Sequence, residues 1–470
     1  MPRSQNAIPA WSTPITDARF KELTPTHFFR ALNSVDRVAW LDSGNSDNGW
    51  SYFGINPLRV RQLQEAQNGN RTPAGSWFEF LRALGLRRSV DRLNPDGPPF
   101  CGGSIGFIRY DRAQTDCFAP TISAAFFDTI LAYDHASRRW WCAGLQLDTI
   151  LPESITRTMT YKAALTLEQI ASAKFDRSDC TYCLPPPRVA TSNTTPAQYR
   201  AAVDRALKYI RDGDIYQINL AQRFAVPANE LPPRELFLNL RNQSPAAFGV
   251  FLGSALTGGS QSICSISPEL FLRVKAGLVT TRPIKGTRAL GDSEEATAAA
   301  ARALDASAKE RAELNMIVDL ERNDLGRVCE FGSIRVENSG AVERLPTLLH
   351  RTATITGRLR PNVSTAALLR AAFPGGSITG APKIRAMDII RELESGPRGL
   401  YCGTIGWLGP DGDMELNIAI RTAVHDSSTN QIHYHSGSGI VADSDPDREY
   451  EETLLKAEAF FKATNATLQT

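Results

Sequence analysis

Long apolar runs are missing from this chain of 470 residues. No stretch is long enough to span a bilayer, and the opening Met1-Pro-Arg-Ser-Gln-Asn-Ala7 has no hydrophobic segment of the kind that directs secretion. An excess of either charge is missing too. Lys plus Arg number 52 against 50 Asp plus Glu, and no basic residues cluster, so nothing presents an electrostatic footprint to nucleic acid or anionic lipid. Cysteines are few, 8 in all, and scattered through both halves as in proteins of a reducing compartment. The expectation is a cytoplasmic protein. Only Cys180-Thr-Tyr-Cys183 has metal-like spacing. A zinc site wants a second such pair, and a redox motif would open a helix where Leu184-Pro-Pro-Pro187 follows, so incidental thiols are the simpler reading.

Several cofactor signatures are absent as well. No strand–GxGxxG–helix unit appears, which argues against a dinucleotide fold. The turns Pro374-Gly-Gly-Ser-Ile-Thr-Gly380 and His435-Ser-Gly-Ser-Gly-Ile440 lack the Lys-Ser/Thr ending of a Walker loop. Backbone N–H groups in such turns can still cradle carboxylates, and plain loop closure explains them equally well. No cysteine sits in a Gly-x-Cys-x-Gly nucleophile turn.

What is present suggests more than one simple core. Residues 176–196, rich in Pro, Ser and Thr, read as a linker between an N-terminal part and a larger C-terminal part. The former carries strand-like runs at Arg37–Leu41, Gly102–Tyr110 and Ala124–Leu131. In the latter, a helix is expected from Gln198 to Asp212, with Ala202, Ala206 and Ile210 on one face and Gly213 ending it. A hairpin is expected over Leu270–Ile284 about Ala276-Gly277, and one long helix from Glu294 to Leu325. Strands follow at Leu400–Leu408, Leu416–Val424 and Ile432–His435, and a last helix from Asp445 to Ala463. Turns as short as Pro410-Asp-Gly412 and Asp426–Asn430 make the strands they join antiparallel. The fold class is therefore α+β, a large, mainly antiparallel framework with long helices outside.

Candidate chemistry lies in two carboxylate pairs and one lysine. Glu310 with Glu313, and Glu449 with Glu452, are each spaced three apart, which puts each pair on one helix face. They are either two solvated surfaces or, if the faces meet, a hard-cation site for an ion such as Mg²⁺. Lys285 follows the second arm of the hairpin, at the end of a strand and before a polar loop, where a surface charge is the usual role. As a nucleophile it would need desolvation or a neighbouring cation to lower its pKa. Glu269 opens the same hairpin, so pairing could bring both into one cleft.

Read in order, Gly213–Leu220, Ser267–Phe271, Arg282–Thr287, Glu313–Arg327, Phe373–Lys383, Gly439–Pro446 and Glu449–Thr453 resemble the chorismate-utilising enzymes. The resemblance covers residues 197–462, and residues 15–150 resemble, more weakly, the N-terminal domain of the large subunits of that family. It implies a four-layer α/β/β/α sandwich of antiparallel sheets packed face to face, with chorismate as substrate and Mg²⁺ as cofactor. Glu313 and Glu452 would hold the ion, assisted by Glu310 and Glu449, with Lys456 near the ring carboxylate. Tyr401 and Arg421 would bind the enolpyruvyl carboxylate, while Gly286, Thr287, Thr379, Gly437 and Gly439 complete the pocket. His350 matches an active-site histidine, although Arg351-Thr352 departs from its usual apolar setting. Within the family the residue before Gly-Thr discriminates: anthranilate-forming members have Ala, and the branch that aminates chorismate at C4 has Lys, as here at position 285. Lys285 would then be the nucleophile and Glu269 the general acid. Ammonia would come from solution or from a partner glutamine amidotransferase subunit. Leu41 and Ser43 fall in the motif of the family's tryptophan pocket, where simple core packing ranks first. The rivals are an anthranilate-forming enzyme, a non-catalytic subunit binding tryptophan or chorismate, and an isochorismate-type enzyme, whose branch carries a lysine where this chain has Gln217.

Overall fold

Short connections between extended segments build two large sheets. The structure, a computed structural model, describes residues 8–32, 35–44, 49–63, 90–92, 94, 96–111, 122–147, 185–344 and 348–469. Among them, 14 strands form one sheet and 10 the other. Pairing is antiparallel except between Ile8–Pro14 and Val90–Arg92, and between Arg188–Ser192 and Ala466–Leu468. No helix of the described residues is long and apolar enough to cross a membrane. Cys180 and Cys183 lie outside the described residues, and Cys142, Cys264, Cys329 and Cys402 are free thiols.

Strands from early and late in the chain share both sheets. Val38–Asp42 pairs with Phe248–Leu252 in the first, and Gly103–Ile108 pairs with Thr404–Leu408 in the second. Leu41, Ile105, Phe107, Leu272, Ile405 and Leu416 pack between the layers. On the outer face of the first sheet an aromatic cluster of Phe28, Phe29, Trp40, Phe53 and Trp140 continues to Phe460 of the C-terminal helix Pro446–Thr464. Each such fully buried ring contributes on the order of 2 kcal/mol. Phe460 stacks on Tyr434 at 4.5 Å, which anchors the C-terminal end of that helix on the sheet.

Several expected elements divide where the chain changes layer. Ala124–Leu131 is two strands, Ile122–Phe127 and Thr129–Asp134, in different sheets. Likewise Leu416–Val424 splits into Met414–Ile418 of the second sheet and Thr422–Asp426 of the first, with Arg421 at φ +48° in the crossing. Gln261–Ser267 and Leu270–Lys275 cross alongside it. The two crossings are stitched by Ile418 N–H to Glu269 O at 3.0 Å, Ile266 N–H to Arg421 O at 3.0 Å, and Ser267 Oγ to Ile418 O at 2.6 Å. Glu269 and Arg421 are thereby planted in one corner between the sheets.

Other differences are local. The expected long helix is two, Glu294–Ala306 and Ala308–Gly326, because Ser307 caps the second and its hydroxyl accepts Glu310 N–H at 3.4 Å. The helix Pro196–Arg211 forms as expected, but its buried stripe is Tyr199, Val203, Ala206 and Leu207, since the Tyr199 hydroxyl donates to Leu220 O at 3.0 Å. His435–Ile440 is not a turn; it is the end of the strand Gln431–Ile440. Part of the stretch 176–196 is the strand Arg188–Ser192, which pairs with Gln217–Pro227.

Candidate active site

Lys285 is inside a strand rather than at its end. Pro283 interrupts the hairpin's second arm, Leu278–Arg282, and the chain resumes as Ile284–Ala289, both segments pairing with Leu348–Arg358. Lys285 is opposite Arg351 and Thr287 opposite His350, so one residue, Gly286, bulges between them at φ +77°. Lys285 Nζ donates to Ser377 O at 3.1 Å, from the turn Pro374–Gly380. Burial pushes its pKa below the ordinary lysine value, opposed by the carboxylates of Glu313 and Glu269.

Glu269 is 4 % exposed, and its Oε1 has no hydrogen-bond partner. Burial raises its pKa, while Ser377, Lys285 and the Ile284 backbone pull the other way. Burial thus shifts the amine toward its neutral form and the carboxyl toward its protonated form, each against the pull of the other's charge. Hairpin pairing does bring the two together, as the spacing suggested.

The two acidic helix faces also meet. Burial raises the Glu313 pKa, Lys285 and Lys309 oppose this, and Glu452 and Glu449 of the C-terminal helix add to it. Glu449 is buried and likewise raised, first by desolvation; its Oε1 accepts the Ser444 hydroxyl at 2.6 Å. Burial alone would raise the Glu452 pKa, but its pairing with Lys456 at 2.6 Å together with the charges of Lys285 and Lys309 leaves it below the usual value. Glu310 pairs with Arg288 at 2.9 Å. Among the described residues no three carboxylate, imidazole or thiol side chains converge tightly enough to cage an ion unaided. Mg²⁺ does not ask for that, since it takes one or two carboxylates and keeps several waters. The donors are all hard oxygens, and Oε2 of Glu310 and of Glu449 are buried without a hydrogen-bond partner, so the residues fit such an ion.

The remaining candidate residues are basic, aromatic or small. Arg421 has its pKa lowered by burial, with Tyr434 and Glu269 opposing. Tyr401 is 6 % exposed and stacks on His435 at 5.2 Å. A Cβ on Gly437 would come within 2.8 Å of the Tyr401 hydroxyl and 2.8 Å of Asn219 Oδ1, so only glycine admits those groups. Lys456 Nζ donates to Gly437 O at 3.0 Å. Gly439 lies across from Asn219 and beside the Gln217 side chain. Thr379 is fully buried, its hydroxyl donating to Gly375 O at 2.9 Å.

His350 is 2 % exposed, and burial, with Arg421 and Arg282 nearby, holds its pKa down to about 4 although the Gly286 backbone bond raises it. The imidazole is neutral at physiological pH. Arg351, beside it, is buried and donates to Gly340 O at 3.2 Å, which explains a charged residue in this setting. Leu41 is part of the core between the sheets, and the Ser43 N–H donates to Ser51 Oγ at 3.4 Å. Ser51 also donates to Asp42, whose other partner is Arg241 at 2.7 Å.

Two residues near the site carried no local signal. Glu321 is 7 % exposed, its Oε2 accepts the Thr281 hydroxyl at 2.9 Å, and burial with Glu269 nearby pushes its pKa up to about 8. Its position eleven residues after Glu310, three helical turns on the same face, was the available hint. Arg398, 2 % exposed, follows a Ser-Gly-Pro segment that reads as a loop.

Comparison with known proteins converges on one family. The sequence profile of chorismate binding enzyme matches residues 37–462. The chain is 37 % identical over 401 residues to aminodeoxychorismate synthase component 1 of Bacillus subtilis, covering 83 % of this chain and 80 % of that one. It is 34 % identical over 483 residues to an anthranilate synthase component 1 of Haloarcula marismortui, covering 98 % and 94 %. Its fold is similar to the crystal structure of anthranilate synthase component I from Streptococcus pneumoniae, with a TM-score of 0.73 and 30 % identity, covering 87 % of this chain and 91 % of that one.

Proposed function

We propose that this chain, which belongs to the chorismate binding enzyme family, aminates chorismate at C4 as aminodeoxychorismate synthase component I does. The observation that carries this reading is Lys285, an amine whose burial favours the neutral form and whose carboxyl neighbour, Glu269, is buried and shifted toward its protonated form.

In the proposed reaction neutral Lys285 Nζ attacks C2 of chorismate, and both ring double bonds shift. The C4–O bond breaks as Glu269 gives its proton to the departing hydroxyl, which leaves as water. Hydroxide is too poor a leaving group to depart without that proton. Ammonia then attacks C4, both double bonds shift back, and the C2–N bond to Lys285 breaks. The surplus proton on nitrogen returns to Glu269, and the product is 4-amino-4-deoxychorismate. While Lys285 occupies C2, nitrogen is directed to C4. Mg²⁺, when bound by Glu313 and Glu452 with Glu310 and Glu449 behind them, would supply the charge that grips the ring carboxylate. Tyr401 and Arg421 suit the second carboxylate, because a planar guanidinium donates two parallel hydrogen bonds to it. Ammonia is proposed to arrive from a partner glutamine amidotransferase, since the chain has no glutaminase nucleophile motif of its own.

Relatives that make anthranilate are as similar as those that make aminodeoxychorismate, so the regiochemistry rests on position 285. Purified protein with chorismate, Mg²⁺ and an ammonium salt, its products identified by mass and fluorescence, decides it. Anthranilate as the main product would sink the assignment.

A further inference from the structure

We propose that Arg398 is a positioning residue that ties the Tyr110–Asp111 segment of the N-terminal region to the chorismate pocket and holds three walls of that pocket in register. The proposal rests on the family's chorismate pocket but not on which carbon receives nitrogen.

Arg398 spends nearly all its donors on groups that carry site residues. Nη1 donates to Ile378 O at 3.0 Å, and Ile378 lies between Ser377, whose carbonyl accepts from Lys285 Nζ, and Thr379. Nη2 donates to Asn219 O at 2.7 Å, on the strand facing Gly437 and Gly439. Asn219 N–H in turn donates to Thr379 O at 2.8 Å, so one guanidinium closes the gap between that strand and the Ser377 turn from behind. The same guanidinium is 5.6 Å from the centroid of the Tyr401 ring, and 4.8 Å from that of Tyr110. Its charge is met by Glu394 through three contacts, Nε to Oε2 at 2.9 Å, Nε to Oε1 at 3.2 Å and Nη2 to Oε1 at 2.7 Å, and Glu394 Oε1 also accepts Ala221 N–H at 2.9 Å.

The N-terminal region enters through the residue that follows. Asp111 accepts the Gly399 N–H, and Tyr110 N–H donates to Gly399 O at 2.9 Å. Residues 110 and 111 thus grip the backbone beside Arg398 while the Tyr110 ring lies against its guanidinium. A buried ion pair of this kind adds little to net stability compared with an apolar pair of equal volume. What Arg398 does add is a fork of fixed geometry that reaches two carbonyls and a carboxylate at once, which a lysine cannot reproduce.

Arg398→Lys in the full-length chain, with Arg398→Met/Glu394→Met as the variant that leaves no buried charge unpaired, tests the proposal. Chorismate consumption with ammonium and Mg²⁺ and backbone amide hydrogen exchange are the readouts. In both variants KM for chorismate should rise at least about tenfold, the equivalent of one lost charge-assisted hydrogen bond. Tyr401→Phe should then cost less in the Arg398→Lys background than in the wild type. Peptides spanning 376–381 and 399–403 should exchange faster while those of the strand Phe248–Leu252 stay unchanged. Unaltered KM with unaltered exchange in these peptides overturns the proposal. So does lower thermal stability with fewer active molecules whose KM is that of the wild type, because that outcome is a folding role alone. If the wild type makes the ortho product, the C4 assignment fails, but the KM and exchange readouts still judge Arg398.

Discussion

Oε2 of Glu310 lies 2.8 Å from where a Cβ on Gly286 would be, so the bulge beside Lys285 and the first turn of the acidic helix are in direct contact. Gly286→Ala would add a methyl group into that carboxylate and into Leu304 Cδ1 at 2.9 Å, at φ +77°, where L residues are strained. The backbone strain alone costs about 1–2 kcal/mol. The expected outcome is a modest fall in melting temperature and a much larger loss of kcat, with a raised Mg²⁺ requirement. An alanine variant with unchanged Mg²⁺ titration and kcat would separate the bulge from the metal side of the site.

Lys285 and Glu269 set the pH profile together. The productive state has the amine deprotonated and the carboxyl protonated. Activity should therefore rise as pH climbs through the amine's depressed pKa and fall as it climbs through the carboxyl's elevated one, the two apparent values belonging to the pair. Glu269→Gln cannot ionise, so the falling limb should disappear while kcat drops by roughly 10²–10⁴ for loss of the general acid. A falling limb that stays in place would belong to another group. Intact-protein mass spectrometry should also catch a substrate adduct in the wild type that Lys285→Ala cannot form.

Glu313→Gln probes the metal reading. Glu313 is held toward its protonated form by burial and by Glu452 and Glu449 across the cleft, a disposition that a divalent cation would relieve. The substitution should raise the Mg²⁺ concentration for half-maximal activity severely. Isothermal titration without substrate should show weaker Mg²⁺ binding. An unchanged titration removes Glu313 from the ligand set.

The antiparallel framework was readable because hairpin turns and period-two patterning are local signals. The crossings were not. Ala124–Leu131 and Leu416–Val424 are continuous apolar runs on both sides of Asp128 and Arg421, and nothing nearby marks a strand that leaves one sheet for the other. Those crossings put Glu269 and Arg421 into the corner, so their proximity is a tertiary fact. Lys285 was legible as a motif residue but not as a residue inside a strand, since the bulge at Gly286 depends on pairing with the strand Leu348–Arg358. The acidic pairs were visible from helical spacing, whereas the meeting of their faces was conditional until both helices were placed. Arg398 was invisible because its partners, Glu394 and Tyr401 apart, are backbone carbonyls and a ring far away in sequence.

Glu321 offers a test of the buried acid behind the site. Burial, then Glu269, pushes its pKa up to about 8, with Thr281 and Lys383 opposing. A carboxyl whose folded pKa lies above its unfolded value stabilises the fold fully below the unfolded pKa, and that contribution is lost as pH rises through the folded one. Between about pH 4.5 and 8 the wild type should therefore lose stability that Glu321→Gln, which cannot ionise, retains. The difference is at most a few kcal/mol, given about 1.4 kcal/mol per pKa unit. Melting temperatures of the two proteins should be similar near pH 5 and diverge in favour of the glutamine variant toward pH 8. Because ionised Glu321 would hold Glu269 in its protonated form, the falling limb of the activity profile should also move to lower pH in the variant. Parallel melting curves across this range, with an unmoved falling limb, would mean that Glu321 is ionised throughout and shares no charge interaction with the general acid.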